Sequence, residues 1–450
     1  MKYLTNNRFG KLIRSKGMLI LILNPFIVFS QQSFDLKQCI TTGLEQNYQI
    51  RISKNEQKIA DNNTTIGNAG FLPTVSLNST YSQRLNSVEQ IPADGSASVK
   101  NNNVNNSAFD AGVNLNWTVF EGFRVQTNYS KLKQLQQIGE LNMLLNVENF
   151  IASLSSEYFN YVHQNIQLNN LKSAVRLSKE RLRIVEARYN IGSMSRLDLQ
   201  QAKVDFNADS SKLIRQREVV FSTRVKLNQL MALKNVEQQI SVTDTAIVFN
   251  ALLSKDQLWK KTLQSNIYIL LSEKERMLKM IDLKQAKSRN YPYLKLNAGY
   301  GYVQNRYEYN AYRQQNQLGS NLGLTLGFTL FDGFNRSREQ TNARIEIENK
   351  QLANEELLLS IESDFSNIWM AYENNMQLTT LERENLSNAV ENYEIAIERY
   401  KLGDLSGIEL REAQNSLLEA EERLVQAQYN TKLCEISLLQ ISGSTMQLMN

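Results

Sequence analysis

The stretch "RYNIGSMSRLDLQ", residues 188–200, decides the fold because the chain contains nearly the same stretch a second time. "RYKLGDLSGIELR" occupies residues 399–411, which is 211 residues further along. In both stretches an Arg-Tyr pair is followed by Gly192 or Gly403, and a serine comes three residues after each glycine. Glycine commonly ends helices and serine commonly caps the start of the next one. Each stretch therefore predicts a tight turn between two helices.

The repetition extends well beyond the two turns. At the same offset Leu227 matches Leu438, and the apolar residues between them and the turns keep the same phase. Further upstream the offset becomes 219, as between Pro73 and Pro292. The first copy therefore carries eight extra residues, and these fall in the Asn/Ser-rich stretch 91–107, which we expect to be an exposed loop. We interpret the pattern as an internal duplication.

Long stretches without proline point to unusually long helices. The chain has four prolines, and none lies in residues 93–291 or 293–450. Apolar residues recur at three- and four-residue steps through residues 124–190 and again through 335–401. A helix of this length reaches roughly 100 Å at about 1.5 Å per residue. Such a length is typical of a coiled coil or a rod.

Four short stretches alternate with period two, which predicts β-strands. They are residues 75–82, 113–120, 294–303 and 321–331. In the last of them leucine and phenylalanine alternate with Asn, Gly and Thr, as in a strand with lipid on one side and water on the other. The alternative is a half-buried sheet in a soluble domain.

Four strands are too few to close a barrel in a membrane, because the smallest such barrels have about eight. An open sheet edge in hydrocarbon would leave backbone groups unpaired. We therefore expect three chains to share one twelve-stranded barrel, which is wide enough for a lumen. The alternative is a dimer with eight strands, whose interior side chains would fill. The predicted fold is a mixed α+β membrane protein in which long helices continue this trimeric barrel as a tube.

The N-terminus predicts a signal peptide. Residues 1–30 begin with a basic segment and continue into an apolar run at 17–30. A transmembrane anchor is the alternative, but Asn24 and Pro25 interrupt the run. Removal of this segment takes the five excess basic residues with it, from 50 basic against 45 acidic in the whole chain. The positive charge that nucleic-acid binding needs is then gone.

The residues that carry most enzyme chemistry are scarce. The chain has one histidine, His163, and two cysteines, Cys39 and Cys434, at opposite ends. We expect both thiols to be unpaired, with a disulfide between them as the alternative. The sequence contains no phosphate-binding glycine loop, metal cluster or nucleophile elbow. We therefore expect a protein that is not an enzyme and has no cofactor.

Five motifs carry a resemblance to a known family. They are "GFLPTVSL" at 70–77, "RNYPYLKL" at 289–296, "TVFEGFR" at 118–124, "TLFDGFN" at 329–335 and the two Arg-Tyr-x-x-Gly turns. In this order the mature chain resembles, over nearly its whole length, the TolC-type outer-membrane factors, the outer membrane efflux protein family. The resemblance implies a homotrimer in the outer membrane of a Gram-negative bacterium, with a coiled-coil tunnel that extends into the periplasm.

The resemblance also implies a domain organisation. The signal peptide at 1–30 is followed by a first repeat at 31–234, with a β-hairpin at 71–123 and a long helix at 124–190. An equatorial linker at 235–254 separates it from a second repeat at 255–450. The second repeat has its β-hairpin at 291–334 and its long helix at 335–401. Each repeat begins with a helix before the hairpin and ends with a tip turn and a return helix.

Three sets of residues are predicted to carry the function. By resemblance the two turns form a periplasmic tip that contacts an adaptor protein, through Arg188, Tyr189, Gly192, Ser195, Arg399, Tyr400, Gly403 and Ser406. The alternative is that these are turn residues only. By the same resemblance, acidic residues after the turns are candidates for a pore constriction that favours cations, namely Glu409 and Glu412 with Asp198. The alternative is a solvated helix face. The turns from barrel to helix contain Phe120, Gly122, Phe123, Phe331, Gly333 and Phe334.

The function that the resemblance implies is a passive exit duct for small molecules such as drugs, toxic compounds or metal ions. The expected partners are a periplasmic adaptor, a proton-driven or ABC transporter of the inner membrane, and outer-membrane lipid, with no nucleic acid. One alternative is the outer-membrane component of type I protein secretion. Another, from a different class, is a soluble periplasmic coiled-coil scaffold.

Overall fold

The computed structural model describes residues 32–310 and 312–449, so the signal peptide predicted at 1–30 lies outside the described residues. The helices are α1 (Leu36–Gln46), α2 (Tyr48–Asn63), α3 (Ile66–Ala69), α4 (Arg124–Asn190), α5 (Arg196–Leu230), α6 (Lys255–Ser265), α7 (Ile267–Ser288), α8 (Asn335–Leu402) and α9 (Gly407–Ile441). The strands are β1 (Gln32–Phe34), β2 (Thr74–Gln90), β3 (Val99–Glu121), β4 (Ile240–Val242), β5 (Tyr293–Arg306) and β6 (Gln314–Gly327).

Two very long helices dominate the molecule. α4 has 67 residues and α8 has 68, and each is followed by a return helix of 35 residues, α5 or α9. No proline interrupts them, so every turn keeps its backbone hydrogen bonds. α4 packs against α5, α7 and α9, while α8 packs against α7 and α9. The helices therefore form a layered rod.

The sheet at one end of the rod has four antiparallel strands in the order β2-β3-β5-β6. β2 and β6 are its two edges. One expectation for this sheet is wrong: the polar stretch 91–107 is not a loop throughout, because β3 begins at Val99. Strand pairing satisfies the backbone whatever the side chains are, so the Asn-rich residues can extend the ladder beyond the apolar part of the strand.

A second expectation for the sheet is also wrong. The alternating stretch 321–331 leaves the sheet after Gly327, which pairs with Tyr293 at the start of β5. The residue before Tyr293 is Pro292, which has no N–H to continue the ladder. Residues 328–331 therefore have no partner strand among the described residues of their own chain.

The main core lies where the return helices end, midway along the molecule. Ile151, Leu154 and Tyr158 of α4 are fully buried there together with Leu227 of α5 and Ile436 of α9. In the region predicted as the equatorial linker, β4 pairs in parallel with β1. Alternating large side chains from three helices fill this region, which fixes the position of the two return helices against α4.

Two asparagines hold corresponding helix ends together. Asn47 caps α2, and its Nδ2 donates to the carbonyl of Leu230 at the end of α5, 2.9 Å away. Asn266 caps α7, and its Nδ2 donates to the carbonyl of Ile441 at the end of α9, 2.8 Å away. Each asparagine thus satisfies backbone groups of two helices at once.

The two cysteines and the histidine are packed inside the helical rod or at its partly buried surface. Cys39 is buried and Cys434 half-buried, and both are free. His163 is buried, and its ring stacks on that of Tyr429 with centroids 4.9 Å apart. Burial lowers the pKa of His163, so the ring packs as a neutral aromatic group.

Candidate functional site

The strand register places most of the apolar side chains of the sheet on one face. One row across the four strands consists of Val75, Leu115, Ala298 and Leu322. The next row, on the opposite face, consists of Ser76, Asn114, Gly299 and Asn321. One face can therefore contact lipid while the other contacts water.

The apolar face is unusually exposed for a protein in water. The side chains of Leu77 and Leu322 are 77% and 78% exposed, at opposite edges of the sheet. Neighbouring leucines, valines and tyrosines of the same face are also exposed, so together they form a continuous apolar surface. A surface of this kind marks contact with a membrane or a partner.

The turns from sheet to helix have the same geometry in both places. Gly122 and Phe123 have φ of +57° and +65°, and Gly333 and Phe334 have φ of +68° and +63°. Phenylalanine rarely adopts this left-handed conformation, so both turns hold a strained residue directly before a long helix. The ring of Phe120 packs edge-on against Phe123, with centroids 5.2 Å apart.

The second of these turns repeats the ring contact. Phe331 packs edge-on against Phe334, with centroids 5.4 Å apart. All six residues predicted for these turns therefore lie at the junction of sheet and helices. Phe331 and Phe334 are 71% and 75% exposed, so the aromatic side chains are available at the border of the apolar face.

At the far end of the rod, the two tip turns end one helix and start another. Gly192 and Gly403 have φ of +81° and +87°, the left-handed conformation that glycine adopts without strain. Ser195 and Ser406 cap α5 and α9. This geometry explains the glycines and serines of the repeated motif as turn residues.

The arginine and tyrosine of the motif have different contacts and different burial at the two tips. Arg188 donates to the carbonyls of Tyr400 and Lys401 at the end of α8, over 3.0 and 2.8 Å, and its guanidinium lies 5.2 Å from the centroid of the Tyr400 ring. Arg399 instead pairs with Asp404 of its own turn, at 3.0 Å. Tyr400 is fully buried, whereas Tyr189 is 37% exposed.

The acidic residues after the turns have two kinds of surroundings. Glu409 accepts from the backbone N–H and hydroxyl of Ser406, at 2.9 and 2.7 Å, and these hydrogen bonds lower the pKa of Glu409. Asp198 caps α5 in the same way through Ser195. Glu412 is exposed on α9, one turn further on. Two of the three predicted constriction residues therefore also stabilise a helix start.

Above the tip, a buried polar cluster joins both hairpins of the chain. Arg411 of α9 donates to both carboxylate oxygens of Asp209 of α5, at 2.6 and 2.9 Å. Arg181 of α4 pairs with Asp205 of α5, and both are buried. Burial raises the pKa of Asp209, but its hydrogen bonds from Arg411 and Ser178 outweigh burial, so the net pKa lies below its usual range.

Four exposed apolar residues at the tips were missed in the sequence. Ile191 and Leu197 of the first tip are 79% and 77% exposed, and Leu402 and Ile408 of the second are 85% and 78% exposed. They occupy the same two positions of each turn, at the offset of 211 residues. The sequence did contain a signal for these residues. An apolar residue that recurs beside a helix turn cannot enter a core there, so its repetition indicates an exposed contact surface.

Residues 32–310 and 312–449 contain neither a candidate metal site nor a helix suited to span a membrane. Within those ranges no cluster of His, Cys, Asp and Glu could hold a metal ion. No helix in the same ranges has the length and apolar character needed to cross a membrane.

An amphipathic antiparallel sheet set on a rod of long helices defines a class, the tunnel-forming channel proteins of the bacterial outer membrane. The chain belongs to the outer membrane efflux protein family, whose model matches residues 40–233 and 258–444. It is accordingly a protein of the outer membrane of Gram-negative bacteria with a periplasmic extension.

Individual relatives are distant in sequence. The outer membrane protein TolC of Escherichia coli strain K12 is 20% identical over 366 residues, which cover 76% of this chain and 71% of TolC. The CmeC outer membrane channel of Campylobacter jejuni matches with a TM-score of 0.76 at 16% identity, over 91% of this chain and 86% of CmeC. VceC of Vibrio cholerae matches with a TM-score of 0.74 at 14% identity, over 91% of this chain and 96% of VceC. At these identities the structural matches show the fold alone.

Proposed function

We propose that three copies of this chain form a passive exit duct for small molecules, which an inner-membrane pump drives through a periplasmic adaptor. The observation that carries the proposal is the sheet. It has an apolar face for lipid, a polar face for a lumen and two open edges, β2 and β6. Since open edges are not tolerated in hydrocarbon, the edges must pair with other chains.

The internal repeat indicates how the edges pair. Within the chain β3 pairs with β5, and Val113 lies opposite Tyr300. β6 matches β3, and β2 matches β5, so Leu324 of one protomer should lie opposite Tyr81 of the next. The same pairing gives residues 328–331 a partner strand. Their counterparts at the end of β3 pair with β5 but not with β2. By analogy, residues 328–331 should pair with the start of β2 of the next protomer.

The flanks of the helical rod support the same arrangement. α4 packs on α7 within the chain, and α8 and α2 are their counterparts in the repeat. The free sides of α2 and α8 carry exposed apolar residues at helical spacing, namely Tyr48, Ile52 and Ile59 on α2 and Ile345, Leu352 and Leu359 on α8. Packing of α8 on α2 of the next protomer buries both stripes. This head-to-tail contact closes into a ring.

Cysteine crosslinking tests this arrangement. In a background with Cys39→Ser and Cys434→Ser, Leu324→Cys with Tyr81→Cys should give covalent species of two and three chains, and none larger, after mild oxidation. The matched control pairs Leu324→Cys with Thr80→Cys, one residue away and on the opposite face. Equal crosslinking of the control, or a ladder beyond three chains, would contradict the proposed trimer.

The tip supplies the surface for the adaptor. The four apolar residues at 191, 197, 402 and 408 lie beside the tip turns, and each is at least 77% exposed in the described chain. Substitution of Leu402 and Ile408 by serine should abolish co-purification of the adaptor while the trimer persists. Leu352→Ser on the rod is the contrasting variant and should affect the trimer instead. Retained adaptor binding by the tip variant would overturn this assignment.

The exposed carboxylates near the second tip supply the charge of the constriction. Three protomers bring three copies of Glu412 and Glu409 to one end of the tunnel, where they attract cations. Glu409→Gln with Glu412→Gln should lower the cation preference in bilayer conductance, whereas Glu419→Gln further along α9 should not. Unchanged selectivity of the double variant would remove these residues from the constriction.

Outer-membrane localisation sets aside the soluble periplasmic scaffold. The choice between small-molecule efflux and type I protein secretion depends on the pump. Purification of the intact complex should recover an adaptor with a small-molecule transporter, and recovery of a protein-exporting ABC transporter would overturn the proposed cargo.

A further inference from the structure

Arg306 lies on the apolar face of the sheet, at the end of β5 that is farthest from the helices. Alternate residues of a strand share a face, so Arg306 lies on the same face as Tyr300. The register places it in a row that consists of Gln83, Ser107, Arg306 and Gln314. Arg306 is exposed, and its side chain makes no hydrogen bond or ion pair to any residue that the structure describes. Its guanidinium is therefore available to an anionic partner.

The row of Arg306 lies directly outside the apolar band of the sheet. Tyr81 and Phe109 lie opposite each other, two residues closer to the helices than Gln83 and Ser107. Aromatic side chains at the border of an apolar band occupy the level of the lipid headgroups. Because the helices extend into the periplasm, this border of the band faces the outer leaflet. Arg306 thus lies at the level of the outer-leaflet headgroups.

Amide side chains lie beside Arg306 at this border. Gln304 donates to the side-chain oxygen of Asn316 at 3.3 Å, and Gln314 donates to the same oxygen at 2.9 Å. Each amide nitrogen has two N–H groups, so both glutamines keep a donor for a further acceptor. Hydroxyl and phosphate oxygens of a sugar headgroup are acceptors of this kind.

Two exposed tyrosines follow Arg306 along the chain. Tyr309 is 45% exposed and Tyr312 is 74% exposed. Tyr312 lies two residues before Gln314, which is the register partner of Arg306. A tyrosine ring has an apolar face that packs on a sugar ring, while its hydroxyl stays in water. The turn of the other hairpin, residues 91–98, contains no aromatic and no basic residue. Each protomer therefore has one such surface.

The charge of this surface is positive. Residues 306–314 contain two arginines, Arg306 and Arg313, against one acidic residue, Glu308. The carboxylate of Glu308 accepts the backbone N–H of Asn105, and its own N–H donates to Asn106 at 3.2 Å. These hydrogen bonds hold Glu308 against β3. Positive charge beside a bilayer attracts anionic headgroups.

We propose that Arg306, Tyr312 and the neighbouring amides bind the phosphorylated sugar headgroup of lipopolysaccharide in the outer leaflet. Arginine suits this partner because its planar fork donates two parallel hydrogen bonds to one phosphate. The inference rests on the proposed trimeric barrel, since that barrel turns the apolar face to lipid. It gives the trimer three lipid sites around its outer rim, which fix the depth of the barrel in the membrane.

Titration of the purified trimer in a nonionic detergent with bisphosphorylated lipid A tests the proposal, and native mass spectrometry counts the bound lipids. The parent should bind up to three lipids per trimer. Arg306→Gln should weaken binding at least tenfold, because a charged hydrogen-bond donor is lost.

Arg84→Gln is the matched control for Arg306→Gln. Arg84 follows Gln83 in β2 and pairs with Asn106, so it lies near the level of Arg306 but on the polar face. Its replacement removes the same charge and should change lipid binding less than twofold. Equal losses from the two variants would overturn the inference.

Lipid A without phosphates tests the role of the guanidinium. The parent should bind this lipid at least tenfold more weakly than the bisphosphorylated form, whereas Arg306→Gln should distinguish the two less than threefold. The parent's full phosphate preference in Arg306→Gln would overturn the inference. Displacement of lipid A by inorganic phosphate, with the ionic strength matched by chloride, would assign Arg306 to free anions and overturn it as well.

Tyr312→Leu measures the contact with the sugar. It should weaken binding of both forms of lipid A at least threefold, while Tyr312→Phe should keep the affinity of the parent, because the ring face is retained. Unchanged binding by Tyr312→Leu would contradict the sugar contact.

Failure of the proposed trimer has a different signature. If the chain does not form the barrel, the purified parent has the mass of a single chain and the Leu324→Cys with Tyr81→Cys pair gives no interchain crosslink. A wrong lipid site in a correct trimer gives a parent with the mass of three chains, whose lipid binding Arg306→Gln leaves unchanged.

Discussion

The two arginines of the repeated motif should differ sharply in their contribution to tip stability. Replacement of Arg188 by alanine removes two hydrogen bonds to carbonyls at the C-terminus of α8 and the contact with the ring of Tyr400. A hydrogen bond from a charged donor contributes about 1.5–3 kcal/mol when buried, and a cation–π contact about 0.5–1 kcal/mol when exposed. Because Arg188 is only half-buried and these contributions are not additive, we expect a loss of about 2–4 kcal/mol in the last turn of α8.

Native-state hydrogen exchange measures this loss directly. The amides of Gly403 and Asp404 donate to carbonyls of the last turn of α8, at 3.1 and 3.0 Å, so they report its opening. A loss of 2–4 kcal/mol corresponds to roughly 30- to 700-fold faster exchange when opening is at equilibrium. Mass spectrometry of the purified protein in detergent resolves such a change at the tip.

Arg399→Ala is the matched control. Arg399 pairs with an exposed aspartate of its own turn, an interaction that contributes about 0–1 kcal/mol. Its removal should speed exchange less than roughly fivefold. Arg188→Lys should fall between the two alanine variants, because a lysine keeps the charge but loses the planar fork. Equal effects of the two alanine variants would refute the reasoning.

Three further predictions concern the glycines, the capping asparagines and pH. Gly122→Ala should prevent assembly in the outer membrane, because a Cβ there would clash with the backbone oxygen of Ser288. At Gly333 the nearest atom to such a Cβ is 3.7 Å away. Gly333→Ala should therefore lower the free energy of unfolding by only about 1–2 kcal/mol, the strain of a positive φ. Asn47→Ala and Asn266→Ala should each lower the free energy of unfolding by about 1–3 kcal/mol, measured by denaturant titration. An effect below about 0.5 kcal/mol would show that each asparagine does not stabilise two helix ends at once. The pKa of Asp209 is lowered in the folded protein, so its stabilisation of the tip should be complete above the ordinary carboxyl pKa of about 4. This stabilisation should decline as the pH falls through the pKa of the folded state. The Asp209→Asn variant should not show this pH dependence.

Local chemistry was sufficient for much of the architecture. The absence of proline and the apolar spacing through residues 124–190 require a long helix, and the structure has α4 at Arg124–Asn190. Gly192 and Gly403 required a turn, because glycine allows a positive φ. These features depend on the residue itself and its near neighbours in sequence, so a pattern can reveal them.

The errors arose where a partner strand mattered. Residues 99–107 look like a loop by composition, yet they pair with β2. Residues 328–331 look like a strand by alternation, yet β5 offers them no partner after Pro292. Strand ends depend on which backbone lies alongside, and that information is not in the local sequence.

The sequence by itself determined that this protein has two similar halves, each with a strand pair, a long helix, a turn and a return helix, since these follow from periodicity, proline and the repeat offset. Only the tertiary structure decided that equal motifs have unequal surroundings. Arg188 reaches across to α8 while Arg399 stays in its own turn, and Arg411 of α9 pairs with Asp209 of α5. The physical reason is that a side chain's contribution depends on the helix packed against it, which lies about 200 residues away in the chain.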